Sequence, residues 1–225
     1  MANHFDLEEQ EQIDQFKHFW KTWGTLITAA VVVLCGGFAA YNGYNYWQNR
    51  QANQAAGLLD EVDSAAIAND PQRVQHAFDD MKSRYPGTAQ AGQAGLTAAK
   101  IMIDAKNLDG AKSALEWVAK DAKQEGHKAL ARLRLASVLM EQKAYPEALK
   151  QLEGNVPPEF VAAFADRKGD ALVLQGDNKA AIVEYQKAYT ALEARSSYRR
   201  VIEAKLNALG SKVQVAATST TGNSQ

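Results

Sequence analysis

The sequence has little of the residues that build disulfides and metal sites. Cys35 is the one cysteine among 225 residues, so no disulfide can form within the chain and the fold depends on packing. The four histidines are scattered, and none has a second histidine or a cysteine at metal-ligand spacing. We therefore expect no metal site and no cofactor.

A large net charge of either sign is also lacking. Acidic and basic residues are interspersed along the chain, and the formal net charge is −1. A surface that binds nucleic acid needs a basic patch, which this balance does not provide. We therefore expect no binding to nucleic acid.

Enzyme motifs are missing as well. The sequence has no Gly-rich phosphate loop, no G-x-S-x-G nucleophile elbow and no H-E-x-x-H zinc motif. Asp166 and Asp170 are one helical turn apart and could pair for acid–base chemistry, but a solvated helical face explains them better. We expect neither an enzyme nor a small-molecule substrate.

One long segment is free of charge. No side chain between Lys21 and Arg50 is ionised, and a helix needs roughly 20 apolar residues to cross the hydrocarbon core of a bilayer. Aromatic side chains flank the segment on both sides, as at the two interfaces of a membrane. These residues are Trp20, Trp23, Tyr41, Tyr44, Tyr46 and Trp47. The pattern predicts an uncleaved transmembrane anchor over residues 22–48, embedded in the lipid bilayer.

Two other interpretations of this segment stay open. A buried core helix would usually be shorter and keep a polar face. A cleaved signal peptide would begin with a short basic region, whereas residues 1–21 carry five acidic residues and only two lysines. Residues 37–39 nevertheless offer a conceivable cleavage position.

The flanking charges predict an orientation. Lys17 and Lys21 precede the segment, and Arg50 alone follows it closely. Because basic residues near a membrane segment favour the cytoplasmic side, we expect a cytoplasmic tail over residues 1–21 and the rest of the chain outside. The polar tail over residues 211–225 lacks periodicity and is expected to be disordered.

Residues 49–210 are predicted to be all-α and repetitive. "LRLASVLMEQKAYPEALKQL" begins at Leu133, and a similar "DRKGDALVLQGDNKAAIVEY" begins 33 residues later, at Asp166. Two weaker copies precede them, the nearer being "GLTAAKIMIDAKNLDGAKSALEWV". Small residues recur midway along the first helix of each unit and near the start of the second, which lets paired helices approach closely.

This period is typical of a tetratricopeptide-like α-solenoid. A helical bundle with fortuitous spacing is the alternative. Beyond the fourth unit, a last helix with apolar residues on one face is predicted to cap the stack. That face comprises Tyr198, Val201, Ile202, Leu206 and Leu209.

The repeat predicts a partner-binding groove along the first helices of units two to four. Its candidate residues are Leu96, Lys100, Ile103, Leu133, Ser137, Met140, Asp166, Asp170 and Val173. The set is half apolar, and its apolar members suit an extended apolar peptide or a partner's helix. Lys100 is its one cation, so capture of a peptide carboxylate is not indicated. Alternatively, the last helix fills the groove.

The order of these features resembles a known family. "FKHFWKTWG" enters the apolar segment, "YNYWQNRQ" leaves it, and "RKGDALVLQGDNKAAIVEYQKA" lies in the fourth unit. Together with the repeat before it, this arrangement resembles the YfgM family of ancillary SecYEG translocon subunits of Gram-negative bacteria, over roughly residues 5–209.

The resemblance implies a single-pass inner-membrane protein with a periplasmic repeat domain. Its implied partners are the SecYEG translocon, the membrane-bound chaperone PpiD and secreted polypeptides that pass to periplasmic chaperones. A non-catalytic scaffold for another cell-envelope assembly machine is the competing hypothesis.

Overall fold

The computed structural model describes the backbone of residues 7–213 and the side chains of residues 12–213. Within that range the chain forms α-helices and one short 3-10 turn at Pro158–Phe160, with no strand. The helices are α1 (Leu7–Ile67), α2 (Pro71–Arg84), α3 (Ala89–Asp104), α4 (Leu108–Asp121), α5 (Glu125–Glu141), α6 (Tyr145–Gln151), α7 (Val161–Gln175), α8 (Asn178–Ala191) and α9 (Arg199–Ala208). The predicted all-α class is confirmed. Most of the predicted C-terminal tail, from residue 214 onward, and residues 1–6 of the predicted cytoplasmic tail lie outside the described residues.

The chain divides into two compact units, the first ending at Gln51 and the second beginning at Ala52. The described part of the first unit is a single stretch of α1. Its most apolar 18-residue window has a mean hydropathy of 1.9 and is 6% buried, so the helix is long and apolar enough to cross a membrane. A core helix of a soluble domain would be buried, and this exposure argues against that interpretation. The orientation of the helix stays a prediction.

The second unit begins with the last turns of α1, which form the first helix of the repeat array. Ala55, Val62 and Ala65 on these turns are fully buried in a core shared with Val74 and Phe78 of α2. Three further helix pairs follow, namely α3 with α4, α5 with α6 and α7 with α8, and each pair is in contact.

The turn inside each helix pair repeats the same backbone conformation. The residue before the cap of the second helix is left-handed in all four pairs of residues 52–213, with φ of 53° at Asn69, 62° at Lys106, 62° at Lys143 and 91° at Gly176. These positions are 37, 37 and 33 residues apart, and the last spacing equals the one that separates the copies beginning at Leu133 and Asp166. A left-handed residue is a common way to end a helix, and it turns the chain back on itself at once.

Side-chain caps begin the second helix in three of the four pairs. Asp70, Asn107 and Asp177 each accept a hydrogen bond from the backbone N–H three residues later. Ala144 occupies the equivalent position in the third pair and makes no such bond, but a proline follows at the start of α6, where its missing N–H costs nothing. Local capping therefore ends one helix and starts the next at the same point of each unit.

Small residues permit the close approach that the repeat predicted. A Cβ atom placed on Gly169 of α7 would lie 2.5 Å from the ring of Tyr185 on α8, so only glycine lets this ring pack against the helix. The aligned residue of the third unit, Ala136, is fully buried in the core. Helix contacts in this array thus depend on small residues facing larger ones.

The last helix, α9, packs on α8. Ile202 and Leu206 are fully buried, and Leu209 is half-buried. Tyr198 and Val201, which the sequence placed on the same apolar face, are 43% and 42% exposed, so only part of that face is buried. The buried face of α9 is narrower than its apolar face, because α9 contacts the array through one strip of side chains.

Candidate partner-binding groove

The first helices of adjacent pairs lie side by side, since α3 contacts α5 and α5 contacts α7. Between α5 and α7 lies an open crevice of about 210 Å³, called here the α5–α7 crevice. Its lining residues are Leu130, Leu133, Arg134, Ser137, Ala163, Asp166, Arg167 and Tyr198. The predicted groove residues Leu133, Ser137 and Asp166 therefore line one common space.

Other predicted groove residues do not reach this crevice. Met140 is 8% exposed and belongs to the core, as does Leu96 at 7%. Both face neighbouring helices because a repeat helix in the middle of a stack is buried on most of its circumference. These two residues are positioned to stabilise the fold.

Two predicted residues of the second unit have separate environments. Lys100 is exposed, and its Nζ lies 3.0 Å from Asp104 Oδ2, one turn further along α3. Ile103 is half-buried and packs against the core. Neither lines the α5–α7 crevice, so this crevice brings together only part of the predicted set.

The predicted residues of the fourth unit contact the last helix. Lys205 Nζ of α9 donates to Asp166 Oδ1 and to Asp170 Oδ1, both at 2.6 Å. The hydroxyl of Tyr198 donates to the second oxygen of Asp166 at 2.7 Å, and the hydroxyl of Tyr185 donates to Asp170 at 2.8 Å. We call these five residues the C-terminal ion cluster. At the fourth unit, α9 and the residue before it occupy part of the surface predicted for a partner.

Burial and hydrogen bonding shift the pKa values of Tyr185 and Lys205 in this cluster. Burial raises the pKa of Tyr185 well above its ordinary value, and the hydrogen bond to Asp170 adds to the shift. Burial alone would lower the pKa of Lys205, but the hydrogen bonds to Asp166 and Asp170 have the larger effect and raise it. Lys205 therefore stays charged and Tyr185 stays neutral near pH 7. Val173, the remaining predicted residue, packs half-buried beside this cluster in the C-terminal core.

The crevice holds two arginines that the predicted groove set lacked. Arg134 of α5 and Arg167 of α7 are 33 residues apart, which is the spacing that relates the third and fourth units. Extending the repeat alignment by one residue from Leu133 and Asp166 would have found them. Lys100 is therefore not the only cation beside the predicted groove.

The two guanidinium groups have few acceptors. Arg134 Nη1 donates to the backbone oxygen of Leu96 at 3.2 Å. Arg167 Nη1 lies 3.7 Å from Asp170 Oδ2, and its Nε is enclosed without a hydrogen-bond partner. Since each guanidinium has five N–H donors, both retain capacity for an acceptor supplied from outside.

A second open crevice, of about 380 Å³, lies beside α7 and α8 near residues 152–156. Three of its four charged side chains pair with one another, because Lys168 Nζ lies 3.0 Å from Glu184 Oε1 and Lys187 Nζ lies 3.8 Å from the other oxygen. Among the residues that the structure describes, no three His, Cys, Asp or Glu side chains cluster as metal ligands would. The α5–α7 crevice is therefore the stronger candidate surface.

Comparison with known proteins identifies the family. A family model for a tetratricopeptide repeat-like domain matches residues 17–211. An ancillary SecYEG translocon subunit of Neisseria gonorrhoeae is 35% identical over 213 residues, covering 93% of this chain and 100% of the relative. The chain belongs to the YfgM family of ancillary SecYEG translocon subunits. Relatives of the same name from Haemophilus influenzae and Escherichia coli are 27% and 28% identical over 82% and 77% of this chain.

Membership of the YfgM family confirms the resemblance read from the sequence. It also confirms that a tetratricopeptide-like array follows one apolar N-terminal helix in the sequence, since the matched domain model spans nearly the whole described chain. The Neisseria protein aligns over its full length and over 93% of this chain, so its alignment includes both the helix and the repeats.

Proposed function

We propose that this protein is a non-catalytic adaptor, anchored by α1 in the bacterial inner membrane and associated with the SecYEG translocon. The observation that carries the proposal is the joint presence of an exposed apolar helix and a repeat array in a chain whose relatives bear the name ancillary SecYEG translocon subunit. Repeat arrays of this kind serve as binding surfaces, which fits an adaptor.

The finer part of the proposal concerns topology and partners. Lys17 and Lys21 on the N-terminal flank support a cytoplasmic N-terminus and a periplasmic repeat domain. There the array would bind PpiD and receive secreted chains for transfer to periplasmic chaperones. Anchoring raises the local concentration of a binding surface at the channel exit, so modest affinities are sufficient and no catalysis is needed.

Crosslinking in intact cells tests this proposal. A photoreactive residue at Ser137 samples the α5–α7 crevice, and one at Val183, which is 66% exposed on α8, serves as the matched control. Met140 is unsuitable because it is buried. We expect adducts with SecY, PpiD or secreted chains from Ser137 and few from Val183, identified by mass spectrometry.

Isolation of the tagged full-length protein in mild detergent provides the second measurement. SecY and PpiD should be recovered with it. Recovery of an outer-membrane assembly or division machine in their place would favour the envelope-scaffold hypothesis, and recovery of neither SecY nor PpiD would refute the proposal.

A further inference from the structure

The α5–α7 crevice is lined by both apolar and cationic side chains. Leu130 and Leu133 of α5 and Ala163 of α7 supply the apolar part, and Arg134 and Arg167 stand at the same repeat position of adjacent units. Ser137 is already engaged, since its hydroxyl donates to the backbone oxygen of Leu133. The donors left for a ligand are therefore those of the two guanidinium groups, which lie beside aliphatic surface.

The carboxylates near the crevice already have hydrogen-bond donors and share the charge of Lys205. Asp166 is 4% exposed and accepts hydrogen bonds from Lys205 and Tyr198. Asp170 accepts from Lys205 and from Tyr185. Arg134 is thus left without a carboxylate partner among the contacts of the described residues, and Arg167 has only a 3.7 Å approach to Asp170. The electrostatic balance of this site favours an incoming negative charge.

We propose that the α5–α7 crevice binds a peptide segment of a partner protein in which an acidic side chain stands beside large apolar side chains. The apolar side chains would cover Leu130 and Leu133, and the carboxylate would accept hydrogen bonds from Arg134 and Arg167 at the rim. Arginine suits this role because its planar group can offer two parallel donors to one carboxylate.

The structure favours an acidic side chain over a free chain end as the source of the carboxylate. The buried Asp166 forms part of the wall and repels a second carboxylate that enters deeply. No asparagine, glutamine or lysine is among the residues that line the crevice, so the extra donors that could fix a terminal carboxylate are missing there. A side chain from a segment that runs across the crevice can reach the arginines while staying near the rim.

This inference rests on the proposed adaptor function and names the partner chemistry. Its test measures binding of fluorescent, C-terminally amidated peptides to the full-length protein in detergent micelles, using fluorescence anisotropy. One peptide has a central Leu-Glu-Leu sequence, a second has Leu-Gln-Leu, and a third has Leu-Gln-Leu with a free C-terminal carboxylate. Charge-assisted hydrogen bonds predict that the glutamate peptide binds about tenfold more tightly than either glutamine peptide.

Variants link the effect to the crevice. Arg134→Gln and Arg167→Gln should each remove most of the preference for glutamate. Arg200→Gln changes an exposed arginine of α9 that does not line the crevice, so it should leave the preference intact. Raising the salt concentration should weaken the glutamate peptide more than its glutamine counterpart, because exposed ion pairs are screened.

Several outcomes would overturn the inference. These are equal binding of the three peptides, tightest binding of the free C-terminus, unchanged preference in both arginine variants, or no binding at about millimolar peptide. Co-isolation of SecY with the same variants separates this failure from that of the adaptor proposal. If SecY is still recovered while the peptides show no preference, only the partner chemistry is wrong.

Discussion

Replacing Lys205 with methionine would remove the cation that joins α9 to α7. In the folded protein, its Nζ donates to Asp166 and Asp170 at 2.6 Å each. Because both acceptor oxygens contact one nitrogen, they lie no more than twice 2.6 Å, or 5.2 Å, apart. Methionine keeps most of the side-chain length but leaves two neighbouring carboxylates without their shared partner.

The structure gives the size of the effect. Removing one partner of a fully buried ion pair costs about 3–5 kcal/mol. The Lys205 side chain is 26% exposed, and water will solvate part of the site in the variant. Tyr198 and Tyr185 also continue to donate to the two carboxylates. We therefore expect α9 to lose about 2–3 kcal/mol of docking free energy.

Hydrogen exchange of backbone amides, measured by mass spectrometry on the full-length protein, reports this loss of docking free energy. Amides of residues 199–208 should exchange at least about 30-fold faster in Lys205→Met, because 2 kcal/mol of docking energy is lost. Lys187→Met is the matched control, since Lys187 is 60% exposed and its nearest carboxylate oxygen is 3.8 Å away. Equal exchange in wild type and Lys205→Met would refute the reasoning, and so would an equal increase in both variants.

Further predictions concern packing, the repeated turns and pH. Gly169→Ala should destabilise the protein by about 1–3 kcal/mol in urea unfolding, because the new Cβ would displace the ring of Tyr185, and Tyr185→Leu should recover part of the loss. Lys143→Gly should stabilise by about 0.5–1 kcal/mol, because glycine accepts φ of 62° without strain, whereas Lys150→Gly inside α6 should destabilise. The pKa of Lys205 is raised in the folded protein. The contribution of Lys205 to stability is therefore complete below about pH 10.4, the pKa of lysine in an unfolded chain, and is lost as the pH rises through the pKa of the folded state. The stability difference between wild type and Lys205→Met should therefore be constant near neutral pH and narrow above about pH 10.4; a difference that narrows between about pH 6 and 9 would contradict this assignment.

Sequence reasoning recovered the elements whose signal is local or periodic. The uncharged segment before Arg50 identified the exposed apolar helix because membrane helices are recognised by length and composition. The alignment of Ala136 with Gly169 identified the close-packed helix pairs, because small residues recur where two backbones meet. The left-handed turns at Lys106 and Lys143 were not predicted as such, since neither position holds a glycine.

The candidate surface was harder to predict because it depends on how helices sit in the stack. Met140 and Leu96 share the apolar character of a groove residue, but the neighbouring helices bury them. The predicted groove followed one line of residues along each helix, and Arg134 and Arg167 each lie one residue beyond a member of that line. Both were missed because a shift of one residue turns a side chain by about 100° around the helix axis. The environment of Asp166 is set by Lys205, 39 residues away in sequence, and no local pattern records that contact.

The C-terminal ion cluster also places a constraint on the order of folding. Asp166 and Asp170 lie on the first helix of the fourth unit, but the ammonium group that they share comes from α9, which is made later. Until Lys205 arrives, closing the fourth unit would bury Asp166 without its main counter-charge, which is unfavourable. The last helix pair should therefore complete its folding only after Lys205 of α9 has been synthesised.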